Sequence, residues 1–203
     1  GTHPHVSTGR ADNKFGVEKA EALALLRKAA KSRWLRPRGV QCHIGSQITQ
    51  VGPFRKAAAA VAGLLRRLEG AGIALALLDL GGGLGIPYKE EDATLRLPAL
   101  AQAVNELFAP WPKARLLLEP GRYLVADAGV LLTRVLYRKS TSKRRFVVVD
   151  AAMNDLCRPA LYGAYHPIEP ARRRPGKLET VDVVGPVCET GDFLARERLL
   201  PPC

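Results

Sequence analysis

Ala74-Leu75-Ala76-Leu77-Leu78-Asp79-Leu80-Gly81-Gly82-Gly83 is the stretch that decides the fold. Six of its first seven residues are apolar, and three glycines follow them. Near-continuous apolar runs of this length are typical of strands that are buried on both faces of a parallel sheet. The stretch therefore predicts a buried strand that ends in a glycine-rich loop.

Helices and strands alternate on both sides of this strand, with short links between them. The predicted order is a helix at Glu18–Lys31, a strand at Arg38–His43, a helix from Pro53 to the glycine at 70, the strand just described, a helix at Pro98–Phe108 and a buried strand at Arg115–Leu118. Such alternation is the pattern of an α/β parallel sheet or barrel.

The pattern changes after Gly129, where β-rich segments follow one another without helices between them. The segments are Val130–Arg138, Phe146–Val149 and Glu179–Val184. They predict a section that contains a hairpin and is antiparallel. We therefore expect a domain boundary near residues 122–135, with one domain at 1–128 and a second at 129–203.

Composition and charge exclude several classes of protein. The 203 residues carry 31 Lys and Arg against 19 Asp and Glu, a net charge of +12, but the arginines are scattered over separate segments, which does not favour nucleic-acid binding. No apolar run approaches the length that would span a bilayer. None of the four cysteines forms a C-x-x-C pair, so we predict no metal site and reduced thiols in the cytoplasm. A chain without Met at position 1 also predicts a piece of a longer protein.

Polar or glycine-rich segments follow three predicted strands: His43 to Ser46, Gly81 to Gly83, and Glu119 to Arg122. Because the carboxyl ends of parallel strands build the active site of an α/β barrel, we expect the three segments to converge there. Glycine N–H groups, a hydroxyl and an arginine could hold a phosphate. Each feature also has an ordinary explanation: tight turns, a histidine near the core, and a salt bridge between Glu119 and Arg122.

The chain resembles the pyridoxal-phosphate (PLP) decarboxylases of the alanine-racemase-like barrel class, and in particular the diaminopimelate decarboxylases. Its HIGSQ (43–47), GGGLG (81–85) and EPGR (119–122) segments are shared across the class. The segments NDLCRPALY (154–162) and GPVCETGD (185–192) are more specific to this decarboxylase family.

The resemblance implies the C-terminal part of a PLP-binding (β/α)8 TIM barrel, followed by the start of an antiparallel β domain. It implies decarboxylation of meso-2,6-diaminopimelate to L-lysine, the last step of lysine biosynthesis, in a homodimer with shared active sites. It also implies a Schiff-base lysine on an early barrel strand, and no matching segment lies in this chain.

The resemblance assigns roles by position. His43 would stack on the PLP ring and Glu119 would pair with the pyridine nitrogen. Cys188 would donate the proton that replaces carbon dioxide, and so act as a catalytic residue together with His43. The residues implied to bind cofactor are His43, Ser46, Gly81, Gly82, Gly83, Glu119, Gly121 and Arg122, and those implied to bind substrate are Arg122, Arg158, Tyr162 and Glu189.

Alternative interpretations stay open from the sequence. Cys188 could be a small buried apolar residue, and Arg158 and Tyr162 could lie in a solvated loop with a packed aromatic ring. The substrate could be ornithine, arginine or carboxynorspermidine, although Glu189 beside Cys188 and the pair of Arg158 and Tyr162 argue against this. A non-catalytic PLP-binding homologue is disfavoured by the β-rich section after Gly129.

Overall fold

The computed structural model describes residues 14–172 and 175–202. The helices and strands in chain order are α1 (Lys19–Ala30), β1 (Gly39–Gln41), α2 (Val51–Glu69), β2 (Leu77–Asp79), α3 (Leu97–Phe108), β3 (Arg115–Leu117), α4 (Gly121–Val125), β4 (Val135–Ser140), β5 (Arg145–Val149), α5 (Cys157–Tyr162), β6 (Glu179–Val184) and β7 (Phe193–Leu200). The described residues fall into two compact units, the first at 14–87 and 91–129 and the second at 88–90 and 130–202.

The first unit is built on a parallel sheet in the order β1-β2-β3. Val40 of β1 pairs with Leu78 of β2, which in turn pairs with Leu116 of β3, so the three strands run in register. Helices connect the strands, and this confirms the α/β class that the alternating pattern predicts. The carboxyl ends of all three strands therefore lie at one edge of the sheet.

Two amphipathic helices supply most of the core of this unit. Helix α2 begins at Val51, two residues before the predicted start, and Pro53 lies in its first turn, where the missing N–H costs no helical hydrogen bond. Helix α3 packs beside it. The buried residues of the two helices are Phe54, Ala58, Val61, Ala62, Leu64, Leu65, Leu68, Leu100, Ala103, Val104 and Phe108.

The predicted burial of the strand at Arg115–Leu118 is wrong for the described chain. Leu116, Leu117 and Leu118 are 38%, 41% and 44% exposed. The reason is the position of β3 at the edge of the described sheet, where β2 is its only partner in the described residues. Burial of a strand depends on its neighbours, and these do not follow from the strand's own sequence.

The second unit is a four-stranded sheet in the order β4-β5-β6-β7. Its two outer pairs are antiparallel, but β5 and β6 are parallel, so the predicted antiparallel section is a mixed sheet. Residues 150–178, which include α5, connect β5 to β6. A connection of this length can return the chain to the starting end of the sheet, as a parallel pair requires.

The first strand of this unit starts later than predicted, at Val135 rather than Val130. Just before it, the N–H of Arg134 donates to the Asp150 carboxylate at 2.8 Å instead of to a neighbouring strand. No helix of the described residues is both long and apolar enough to cross a membrane. Residues 14–172 and 175–202 also contain no group of three or more His, Cys, Asp or Glu side chains that could hold a metal ion.

Candidate active site

The glycines after β2 lie between the loops that follow β1 and β3. A Cβ atom on Gly82 would lie 2.1 Å from the carbonyl oxygen of Glu119, and one on Gly83 would lie 2.0 Å from that of Gly45. Both distances are too short for any side chain. Glycine is thus required here because the three strand ends approach each other through their backbones.

Two N–H groups of these glycines already have partners. The N–H of Gly81 donates to Asp79 Oδ1 at 2.8 Å, and that of Gly82 donates to His43 Nδ1 at 3.2 Å. A phosphate could use these two N–H groups only by replacing those bonds. Close backbone contacts and these hydrogen bonds are therefore enough to account for glycine at 81 and 82. The predicted contact of the two glycines with a cofactor remains a prediction.

The imidazole of His43 is oriented by the same bond. Because Nδ1 accepts from Gly82, the ring proton of this tautomer is on Nε2. Beside it, burial raises the pKa of the Cys42 thiol, with a further contribution from the charge of Asp79, so Cys42 stays a neutral thiol. His43 is therefore a flat ring, held in place by Gly82, at the carboxyl end of β1.

Glu119 and Arg122 do not form the salt bridge that the sequence left open. Within the described residues the Glu119 carboxylate makes no hydrogen bond or ion pair, and the side chain is exposed. Arg122, on the first turn of α4, instead donates from NH1 to Gln47 Oε1 at 3.1 Å. The carboxylate and the guanidinium are thus both available to other groups.

Ser46 and Gly121 complete the set predicted in the first unit. Ser46 is half-buried in the loop after β1, next to Gln47. Gly121 begins α4, and a Cβ atom there would meet nothing within 4 Å. Unlike Gly82, this glycine is not required by packing.

In the second unit, Arg158 and Tyr162 lie one turn apart on α5. The guanidinium carbon of Arg158 is 5.8 Å from the centre of the Tyr162 ring and 5.9 Å from that of Tyr88. The Nε atom of Arg158 is buried and has no hydrogen-bond partner within the described residues. The pair is therefore not a solvated loop, because the arginine is held between two aromatic rings.

Cys188 and Glu189 lie in the loop between β6 and β7. Cys188 is an exposed free thiol, which excludes the alternative of a small buried apolar residue. Glu189 Oε1 accepts the N–H of Gly191 at 3.0 Å and the hydroxyl of Thr190 at 3.2 Å. One oxygen of this carboxylate is thus already used within its own loop.

The loop that carries Cys188 is anchored by Asp192, which is only 2% exposed. Its Oδ1 accepts the N–H of Met153 at 2.7 Å, and its Oδ2 accepts that of Val187 at 2.9 Å. The carboxylate thereby joins the β6–β7 loop to the segment after β5.

Sequence reasoning assigned no role to Gln47, Tyr88 or Asp192. Gln47 and Asp192 lie inside motifs that the resemblance rests on, so their positions in those motifs were the available signal. Tyr88 follows the glycine-rich loop and lies far from Arg158 in the sequence, so its contact with Arg158 could be seen only in the folded structure. Tyr88 also makes an edge contact with the ring of His166, with 5.4 Å between the ring centres.

Comparison with known proteins identifies the family. Residues 1–126 match the family described as pyridoxal-dependent decarboxylase, pyridoxal binding domain. The chain is 49% identical over 199 residues to the diaminopimelate decarboxylase of Neisseria meningitidis serogroup A, and 49% identical over 197 residues to that of Pseudomonas aeruginosa. These alignments cover 98% and 97% of this chain but 48% and 47% of the relatives.

Solved structures show the same similarity. The crystal structure of diaminopimelate decarboxylase from Helicobacter pylori, complexed with L-lysine, has a TM-score of 0.92 and 42% identity, and the match covers 100% of this chain and 50% of that one. The crystal structure of diaminopimelate decarboxylase from m. jannaschii, in co-complex with L-lysine, has a TM-score of 0.89 and 38% identity, and the match covers 100% of this chain and 48% of that one. The chain spans about half the length of the relatives it matches. By the match of residues 1–126, the chain belongs to the pyridoxal-dependent decarboxylases.

Proposed function

We propose that the chain is part of a longer PLP-dependent enzyme, here termed the parent protein, that decarboxylates meso-2,6-diaminopimelate to L-lysine. The observation that carries the proposal is the meeting of three strand ends around Gly82, which brings the His43 ring to the same edge as Glu119 and Arg122. The similarity to diaminopimelate decarboxylases over nearly the whole chain supports the choice of substrate.

The residues of the first unit fit PLP by their chemistry. The flat ring of His43 suits stacking on a pyridine, and the Glu119 carboxylate, unpaired within the described residues, suits a protonated ring nitrogen. Arg122 and Ser46 supply a fixed positive charge and a hydroxyl for a phosphate. The glycines at 81–83 contribute by letting the strand ends approach, and Gly121 leaves space at the start of α4.

When bound, PLP withdraws electrons from the substrate α-carbon as carbon dioxide leaves. In the proposed enzyme the Glu119 carboxylate would keep a proton on the ring nitrogen, which the withdrawal requires. His43 would lie against one face of the ring and would exclude water from that face. Cys188 then donates a proton to the α-carbon, in the active site of the partner subunit of a homodimer.

Substrate recognition is proposed for Arg122, Arg158, Tyr162 and Glu189. Diaminopimelate has an amino-acid head group at each end, so the distal end offers both a carboxylate and an ammonium group. The buried, unpartnered Nε of Arg158 supports a role in binding the carboxylate. Glu189 would take the ammonium with the oxygen that its own loop does not use.

We further propose that residues 1–128 are a portion of a (β/α)8 barrel and that residues 129–203 begin the second domain. The parallel order of β1, β2 and β3 supports the barrel. The described cysteines, Cys42, Cys157 and Cys188, are free thiols, which supports a reducing compartment such as the cytoplasm. The Schiff-base lysine would belong to a part of the parent protein outside these residues.

The test is an assay of the parent protein, purified and stripped of bound cofactor, with meso-diaminopimelate, ornithine and arginine, following carbon dioxide release with and without added PLP. We expect PLP-dependent release with diaminopimelate as the preferred substrate. A preference for ornithine or arginine would overturn the substrate assignment, and release that is independent of PLP would overturn the cofactor assignment.

A further inference from the structure

Gln47 joins the three loops that form the proposed cofactor site. It lies in the loop after β1, its Nε2 donates to the carbonyl of Ile86, and its Oε1 accepts the N–H of Ile86 at 3.4 Å. The same Oε1 accepts from Arg122 NH1 at 3.1 Å. One amide thus connects the end of β1, the loop after β2 and the start of α4.

The backbone of Gln47 supports a special role. Its φ angle is +61°, in the left-handed region that residues other than glycine seldom adopt. Conformations of this kind persist where the surroundings hold them in place. Here the side chain has three hydrogen bonds across the site, and these bonds fix both the residue and its partners.

The chemical type of the partner matters for Arg122. Within the described residues Arg122 makes no ion pair, and its NH1 is held by a neutral amide oxygen. A carboxylate in the same place would orient the guanidinium equally well but would neutralise it. The amide therefore orients the arginine and leaves its full charge, and its remaining N–H donors, for an anion.

We propose that Gln47 is a positioning residue that aims the Arg122 guanidinium at the phosphate group of PLP. The inference rests on the proposed function, in which Arg122 binds that phosphate. Gln47 itself need not touch the cofactor, because it acts through Arg122.

The main experiment is a double-mutant cycle on PLP affinity in the parent protein. The Kd for PLP is measured by titrating the apo form of the wild type, Gln47→Gly, Arg122→Ala and the double variant. Glycine suits the positive φ, so this substitution removes the amide without straining the backbone. We expect Gln47→Gly to weaken PLP binding about tenfold, as for loss of a hydrogen bond to a charged group, but to change it less than about twofold when Arg122 is already alanine.

Two further variants separate positioning from a general loss of structure. Gln47→Asn keeps an amide and tolerates positive φ, but it is one methylene too short for the bridge, so it should weaken PLP binding as Gln47→Gly does. Gln47→Glu should weaken PLP binding more than Gln47→Gly, because its charge neutralises Arg122. Gln102→Ala is the matched control and should bind PLP like the wild type. It removes an exposed amide on α3 whose only side-chain partner among the described residues is Glu106.

The outcomes distinguish the two proposals. If the wild-type parent binds no PLP, the proposed function fails and this inference fails with it. If the wild type binds PLP but Gln47→Gly binds it equally well, only the positioning role is overturned. An equal loss on the wild-type and Arg122→Ala backgrounds would also overturn it, because Gln47 would then act independently of Arg122.

Discussion

Replacing Asp192 by alanine should destabilise the second unit more than any exposed carboxylate substitution. The substitution removes two acceptors from a side chain that is only 2% exposed. The N–H of Met153 is in a half-buried segment and loses its partner at an expected cost of about 1–3 kcal/mol, whereas water can replace the bond to the exposed Val187. We therefore expect the free energy of unfolding to fall by about 2–4 kcal/mol in total.

The assay is urea unfolding of the parent protein, combined with amide hydrogen exchange over residues 150–156 and 185–192. Glu169→Ala is the matched control, because Glu169 is exposed and its carboxylate makes no hydrogen bond or ion pair within the described residues. Its loss should change the free energy of unfolding by less than about 0.5 kcal/mol. Asp192→Asn, which keeps one acceptor, should fall between the two. If Asp192→Ala unfolds no more easily than Glu169→Ala, and exchange in both segments is unchanged, the carboxylate does not anchor the loop.

Three other substitutions give distinct results. Gly82→Ala places a Cβ atom 2.1 Å from a backbone oxygen, so it should lower the free energy of unfolding by about 1–3 kcal/mol or more and weaken PLP binding. Gly52→Ala is the control and should not destabilise the protein, because a Cβ atom there meets nothing within 4 Å. Equal melting temperatures for the two variants would contradict the packing argument. The pKa of Asp150 is lowered, mainly by the hydrogen bond from the N–H of Arg134, so its contribution to stability is present above the usual carboxyl pKa and is lost as the pH falls. Asp150→Asn should therefore reduce the fall of the melting temperature at acid pH. A pH dependence equal to that of the wild type would refute this prediction. Cys188→Ala should lower kcat by about 10²–10⁴ with a smaller change in KM, as for loss of a proton donor, and mixed dimers with a chain that lacks the Schiff-base lysine should regain activity if the thiol serves the partner subunit.

Local patterns were enough to predict many elements of both units. Helix α3 and strand β6 lie within one residue of their predicted bounds because each is encoded in its own periodicity. The parallel pairing of β5 with β6 was missed because it depends on the path of residues 150–178. The predicted burial of Leu116 was wrong for a similar reason, because burial depends on whether another strand covers the edge of the sheet at β3.

The candidate site shows the same division. The segments around His43, Gly82 and Glu119 were predicted to meet because each follows a strand, and parallel strands end at one edge of a sheet. The partners of each side chain were not predictable in this way. The sequence left open a salt bridge between Glu119 and Arg122 as an alternative to a role in binding. The bond of Arg122 to Gln47 instead depends on a positive φ at Gln47, which no residue pattern predicts.

Asp192 and Gln47 each hold a proposed functional segment in place, and their different side-chain types follow from the groups that they bind. Asp192 faces backbone N–H groups, which are neutral donors, and a negative charge strengthens both bonds. Gln47 faces a guanidinium that, on the proposed function, must keep its charge for an anion, so a neutral acceptor is required. Exchange of the two types would fail in opposite ways: an amide at 192 would turn a donor toward a backbone N–H, and a carboxylate at 47 would satisfy Arg122 and take its charge away from the ligand. The charge of the partner therefore explains why one supporting residue is a carboxylate and the other an amide.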